Sequence, residues 1–268
     1  MRLAFFIILN FMFYTGMRAQ GNFILEKELD LSYDFIATDG FSKLYIVNNN
    51  TLYQIDLENY SQKNYTHSLT GGISGIDASD PFRILIFYKD FNQVVFIDKN
   101  LAPIVSPIFL NQMGFDHVAA VCQSINGGFW LFDQSLQQLF YLDKNLNQSK
   151  KSSSLSFIID QSSGLSPVYM VEKNDYIYIG IRGQGILLFD NYGTYIKMFP
   201  VEDISGFQVI DDKIYYSNNN KLMYYNTADY EQGEIALPIE VFDRVLISNK
   251  RIVVTRENKV LIFKTNIF

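Results

Sequence analysis

The run Leu52-Tyr-Gln-Ile-Asp56 decides how this chain is read, because it returns. Copies stand at Val94-Val-Phe-Ile-Asp98, Leu139-Phe-Tyr-Leu-Asp143 and Ile186-Leu-Leu-Phe-Asp190. Two weaker copies follow at Leu222-Met-Tyr-Tyr-Asn226 and Val260-Leu-Ile-Phe-Lys264. Their last positions are 42, 45, 47, 36 and 38 residues apart. Each copy follows another apolar run, as Ile84-Leu-Ile-Phe-Tyr88 precedes Val94 and Tyr176-Ile-Tyr-Ile179 precedes Ile186. The turns between them (Asn48-Asn-Asn50, Asp90-Phe-Asn92, Arg182-Gly-Gln-Gly185, Asn218-Asn-Asn220, Glu257-Asn258) are rich in Asn and Gly, which tolerate the positive φ of tight hairpins.

One more short strand lies before each pair, among them Phe35-Ile-Ala37, Ile73 to Ala78, Val118 to Cys122 and Val245 to Ile247. A fourth follows most of them, as at Pro107 to Leu110, Ser156 to Ile159 and Tyr195 to Phe199. Four antiparallel strands at this period are the mark of a propeller blade. The sixth repeat stops short of its fourth strand, and Phe23-Ile-Leu-Glu-Lys-Glu-Leu29 is a strand without a blade. The fold expected is therefore all-β, a six-bladed β-propeller whose ring closes when the N-terminal strand joins the last blade. An open β-sandwich accounts less well for six repeats with complementary ends. Apolar doublets and triplets in the middle strands suit sheets covered on both faces by neighbours. The stripe Tyr215, Tyr216, Tyr224 and Tyr225 is read as blade packing before a sugar platform.

The composition agrees. The 268 residues are 48% hydrophobic and 16% aromatic, which favours strands and excludes a disordered chain. The formal charge of −6 argues against a nucleic-acid partner. A single cysteine forbids an internal disulfide, and Cys122 in Val118-Ala-Ala-Val-Cys122 reads as a small buried hydrophobe. Residues 1–19 read as a secretory signal: Arg2, an apolar stretch from Leu3 to Tyr14, the helix breaker Gly16 and a small residue, Ala19, before Gln20. That makes residues 20–268 one propeller domain, exported to the periplasm and without direct membrane insertion. Losing Arg2 and Arg18 takes the formal charge from −6 to −8.

Catalytic signals are scarce. Neither His67 nor His117 has a Cys or a second His beside it in the sequence, and no Gly-x-Ser-x-Gly elbow occurs. Asp56, Asp98, Asp143 and Asp190 end the same strand in different blades, which makes them turn-formers. Gly183-Gln-Gly185 lacks the helix that a dinucleotide site needs. The expectation is a protein that is not an enzyme and has no metal site or cofactor. Contact residues are sought instead on loops: the turn Asp90-Phe91-Asn92 and the segment Asn111-Gln-Met113-Gly-Phe115, where Phe91, Met113 and Phe115 are expected at the surface. Asn145 to Pro167 is the longest insert and reads as a surface loop.

The block Asp80-Pro-Phe-Arg-Ile-Leu-Ile-Phe-Tyr-Lys-Asp-Phe-Asn-Gln-Val-Val-Phe-Ile-Asp98 resembles a stretch of small exported β-propellers from gliding bacteria with type 9 secretion, the plug subunits of the translocon among them. The resemblance is strongest over residues 73–104. It implies an outer-membrane translocon barrel, or another envelope protein, as partner, and a plug at the barrel's periplasmic mouth as the role. A secreted carbohydrate-binding, hydrolytic or lyase propeller is the rival. It requires acids such as Asp34, Asp77, Glu172 and Asp211 to converge on one pocket.

Overall fold

The computed structural model describes residues 23–67, 71–158, 167–201 and 204–268. The proposed export segment 1–19 lies outside the described residues. Strand β1 (Ile24–Asp30) comes first and stands apart from the strands that follow it. Blade 1 is β2 (Phe35–Thr38), β3 (Lys43–Asn48), β4 (Thr51–Asp56) and β5 (Gln62–Thr66). Blade 2 is β6 (Gly75–Asp77), β7 (Ile84–Tyr88), β8 (Gln93–Ile97) and β9 (Ile108–Phe109). Blade 3 is β10 (Val118–Gln123), β11 (Phe129–Asp133), β12 (Gln138–Leu142) and β13 (Gln148–Lys151). Blade 4 is β14 (Pro167–Lys173), β15 (Tyr176–Ile181), β16 (Gly185–Asp190) and β17 (Tyr195–Phe199). Blade 5 is β18 (Phe207–Ile210), β19 (Lys213–Asn218), β20 (Lys221–Asn226) and β21 (Gln232–Ile235). Blade 6 holds β22 (Arg244–Ser248), β23 (Arg251–Arg256) and β24 (Lys259–Lys264), and β1 is its fourth strand. This is the six-bladed β-propeller that the repeats predict, closed as expected by the N-terminal strand.

Alternation along the middle strands explains the ring. In β7, Ile84, Ile86 and Tyr88 pack toward blade 1, while Leu85 and Phe87 pack toward blade 3. In β11, Trp130 and Phe132 face blade 4 and Phe129 and Leu131 face blade 2. Successive side chains of a strand point to opposite faces, so each blade feeds two cores. Six apolar clusters result, one at each junction between blades. The tyrosine stripe belongs to this packing: Tyr216 and Tyr225 lie in the core between blades 4 and 5, and Tyr215 packs edge-on to Phe268 at 5.7 Å.

The turn chemistry is as read from the sequence. Asn49, Asn92, Gly183, Asn219, Asn220, Glu257 and Asn258 all have positive φ in the second-to-third hairpins. At the end of the third strand the repeated acids fold the next turn. The Asp98 carboxylate accepts the amides of Asn100 at 2.8 Å and Ala102 at 2.9 Å, and that of Asp143 accepts those of Asn145 and Asn147 at the same distances. Asp190 takes Tyr192 and Thr194, and Asn226 takes Ala228.

Two outer strands depart from expectation. In blade 3 the fourth strand is polar Gln148–Lys151, not Ser156–Ile159, because the Asp143 turn brings the chain back by Asn147 and pairs Lys151 with Phe140. An outer edge strand faces water and needs no apolar residues, and lysines there discourage edge pairing. In blade 2 the expected Pro107–Leu110 strand shrinks to Ile108–Phe109, since Leu110–Met113 turns as a 3₁₀ segment.

Closure has its own chemistry. β1 pairs along β24 with one bulge between Leu25 and Lys27, where Glu26 is the extra residue. Arg251 donates to Glu26 at 2.7 Å and to Glu58 of blade 1 at 2.7 Å, so one guanidinium joins both sides of the seam. Arg251→Ala should cost about 1–3 kcal/mol in urea unfolding, because it strands Glu26 in a partly buried site. A chain beginning at Leu31 should melt lower and aggregate on light scattering, since β24 becomes a bare edge. The turn acids predict acid sensitivity. Hydrogen bonds from backbone amides hold Asp98 and Asp143 below the usual carboxylate range. Their stabilising effect is complete above the unfolded value of about 3.9 and is lost as pH falls through the lower folded values. An Asp98→Asn/Asp143→Asn variant should show a flatter fall of melting temperature below about pH 4.

Candidate functional site

Because every blade is a meander, its turns sort onto two faces. The first-to-second and third-to-fourth hairpins lie on one, here the AB face. The second-to-third hairpins and the crossings between blades lie on the other, the DA face. The first strands run side by side around the axis, and five of them line a cavity of about 510 Å³.

The four acids named as a discriminator all line this cavity. Asp34 starts the run into β2 on the DA face. Asp77, Glu172 and Asp211 stand at the other ends of their strands. Three of these carboxylates already serve as acceptors within the fold. Asp77, 3% exposed, accepts the amides of Ser79 and Gln123 at 2.8 Å each, and Gln123 returns a bond to its carbonyl at 2.8 Å. Burial pushes the Asp77 carboxyl above its ordinary range. Glu172 accepts the Trp130 indole N–H at 2.6 Å and the Ile125 amide at 3.3 Å. Asp34 accepts the Asn49 amide. These acids hold neighbouring blades and turns in place. Cys122 is wholly buried beside them, and burial raises its thiol well above the normal value.

The sequence-chosen contact residues fall together on the DA face. The Leu110 amide donates to the Asn92 carbonyl at 2.9 Å, and the Asn92 side chain donates to the Phe115 carbonyl. Asp90 and Asn111 are exposed, and Phe91 is 49% exposed with its ring against Gly71. Phe115 is not at the surface as expected: it is 4% exposed. Gly114, at φ 86°, lets the chain double back so that the Phe115 amide bonds Leu110 and its ring meets Phe140 at 5.0 Å. Asn92 is buried as the bracket of the same loop, and Met113 packs partly against that core.

The AB face carries a feature the sequence reading missed. Phe41, Phe82 and Ile125 occupy the first turns of blades 1, 2 and 3 and are 66%, 59% and 86% exposed. Phe41 and Phe82 meet edge to face at 6.4 Å across the blade junction. The corresponding turns of blades 4, 5 and 6 are Asn174-Asp175, Asp211-Asp212 and Asn249-Lys250. Half of the ring is apolar and half polar. The signal was an apolar residue inside an otherwise polar turn, visible only once the turns are aligned blade by blade.

Fold and faces define a closed propeller with an axial cavity and two unlike loop surfaces. The comparisons agree on the fold. A streptogramin B lyase structure is similar with a TM-score of 0.63 at 13% identity, covering 91% of this chain and 98% of that one. Virginiamycin B lyase from Staphylococcus aureus gives 0.63 at 12%, covering 90% and 99%. The Pan2 WD40 domain of Neurospora crassa gives 0.58 at 9%, covering 93% and 97%. No protein-family model matches the sequence, and no curated protein matches it. At such identities the likeness is one of fold. The expectation that this chain is not an enzyme is nevertheless corrected by these neighbours: two are lyases on this architecture, so missing sequence motifs do not exclude catalysis.

Asp77→Ala should cost about 2–4 kcal/mol in urea unfolding, because two buried amides lose their acceptor. An unchanged midpoint would return Asp77 to the list of catalytic candidates.

Proposed function

We propose that this chain is an exported propeller that docks on a protein of the outer envelope through its AB face. The observation that carries this reading is the exposed arc Phe41, Phe82 and Ile125 on three successive blades. Large apolar side chains grouped on neighbouring turns suit a partner surface. Residues 1–19 supply the export route and the acidic charge keeps the disc soluble. The finer role, a plug at the periplasmic mouth of a type 9 translocon barrel, rests on the resemblance of Asp80–Asp98, a block that contains Phe82. On the DA face, Asp90, Phe91, Asn111 and Met113 form a proposed second contact, with Asn92 and Phe115 shaping their loop.

A second reading is a propeller that binds or cleaves a sugar or another small substrate, and the cavity lined by Asp77, Glu172 and Asp211 at one end and Asp34 at the other favours it.

The test is a cross-linked pull-down of the tagged protein from outer membranes. Phe41→Ser/Phe82→Ser should lower recovery of a stoichiometric membrane barrel about tenfold or more while melting like the unaltered protein. Phe91→Ala should lower it less. Equal recovery from all three proteins, or no barrel at all, would sink the docking reading and leave the cavity as the site.

A further inference from the structure

We propose that the DA-face mouth of the axial cavity is a binding site for a small oxyanion, a carboxylate or phosphate group, gripped by Arg244. This site lies on the opposite face from the apolar arc and does not depend on it.

Arg244 opens β22, and the pairing of its backbone with Thr255 places it at the entrance of the cavity that it lines. Burial pulls its guanidinium below the ordinary range, with repulsion from Arg182 acting in the same direction and attraction to Asp243 opposing it. Among the described residues no carboxylate forms an ion pair with it. The adjacent Asp243 attracts it from a distance but makes no ion-pair contact, its carboxylate turning to accept the Tyr33 hydroxyl and, at 3.3 Å, the Glu257 amide. Asp34, on the same rim, turns to accept the Asn49 amide. Gly206 leaves bare backbone beside the guanidinium: a Cβ there would sit 4.0 Å from Nη1.

A partly desolvated cation with no counter-charge in contact is costly, and two cations brought together cost more. The chain as a whole carries −6, yet none of the described carboxylates contacts this guanidinium. Deeper in, Gln208 narrows the axis by tying three blades together. Its amide donates to Ile247 O at 3.0 Å and Thr38 Oγ1 at 3.3 Å, and its oxygen accepts the Ile247 amide at 2.7 Å. The mouth above it is thus a cup with a forked donor on its wall and a second arginine near it. A planar guanidinium grips a carboxylate or phosphate through two parallel hydrogen bonds.

The experiment uses the whole chain after export, with melting temperature followed against inorganic phosphate and, separately, succinate, at ionic strength matched with sodium chloride. Either probe should raise the melting temperature in a saturable way, and the stronger one tells phosphate from carboxylate. Arg244→Gln should weaken that response about tenfold and Arg244→Lys by less, because lysine keeps the charge but loses the fork. Lys99→Gln, on the AB face, should respond like the unaltered protein. In chloride alone, Arg244→Gln should melt no lower than the unaltered protein, since it removes an unpaired charge. A flat response of the unaltered protein to both probes would overturn the site. So would Arg244→Gln melting lower in chloride while keeping the full phosphate response, which would make the arginine a structural one.

Discussion

Every blade has two apolar faces, and only another blade can cover either of them. This constraint governs the molecule. Ile84 and Leu85 are neighbours in sequence, yet they belong to cores on opposite sides of blade 2. No blade can therefore be stable alone, and a row of blades would leave two apolar faces in water. Bending the row into a ring removes both ends. The last seam then needs a lock, and β1 with the Arg251 bridge to Glu26 and Glu58 supplies it.

The polar groups follow from the same geometry. Where first strands crowd around the axis, backbone amides from neighbouring blades come within reach of any acid that faces inward. Asp77 and Glu172 are used in this way, binding Gln123 and Trp130 across junctions. A line of acids along a channel thus has a mechanical role, although by position alone it resembles an active site. Arg244 differs because its neighbouring acid, Asp243, turns to the Tyr33 hydroxyl and no described carboxylate contacts the guanidinium. The asymmetry of the two faces has the same origin. Exposed turn side chains carry the least packing duty, so Phe41, Phe82 and Ile125 on one side and Arg182 on the other can vary with little harm to the ring.

Blade number, strand order, hairpin turns and ring closure were legible in the residues. They depend on local periodicity and on turn chemistry that acts over two to four positions. The outer strands were less legible. Gln148–Lys151 has no apolar signal because one edge of it faces solvent, and Leu155 nearby is buried outside any strand. Loop exposure was read half correctly. Phe91 stays at the surface, but Phe115 turns inward because Gly114 redirects the chain, and nothing in Asn111–Phe115 says which way the turn will fold.

The sequence by itself determined that alternating apolar runs would make two-faced sheets, that Asn, Gly and Asp would turn them, and that the first strand would be needed by the last blade. It could do so because each of these follows from contacts between residues close along the chain or from a count of strands. Only the tertiary structure decided which acids are already bonded, that no described carboxylate contacts Arg244, and that three apolar turns share one face. The decisive ones depend on distances between residues far apart in the chain, such as Phe41 and Phe82 or Asp77 and Gln123. Such distances exist only after the blades have closed around their axis.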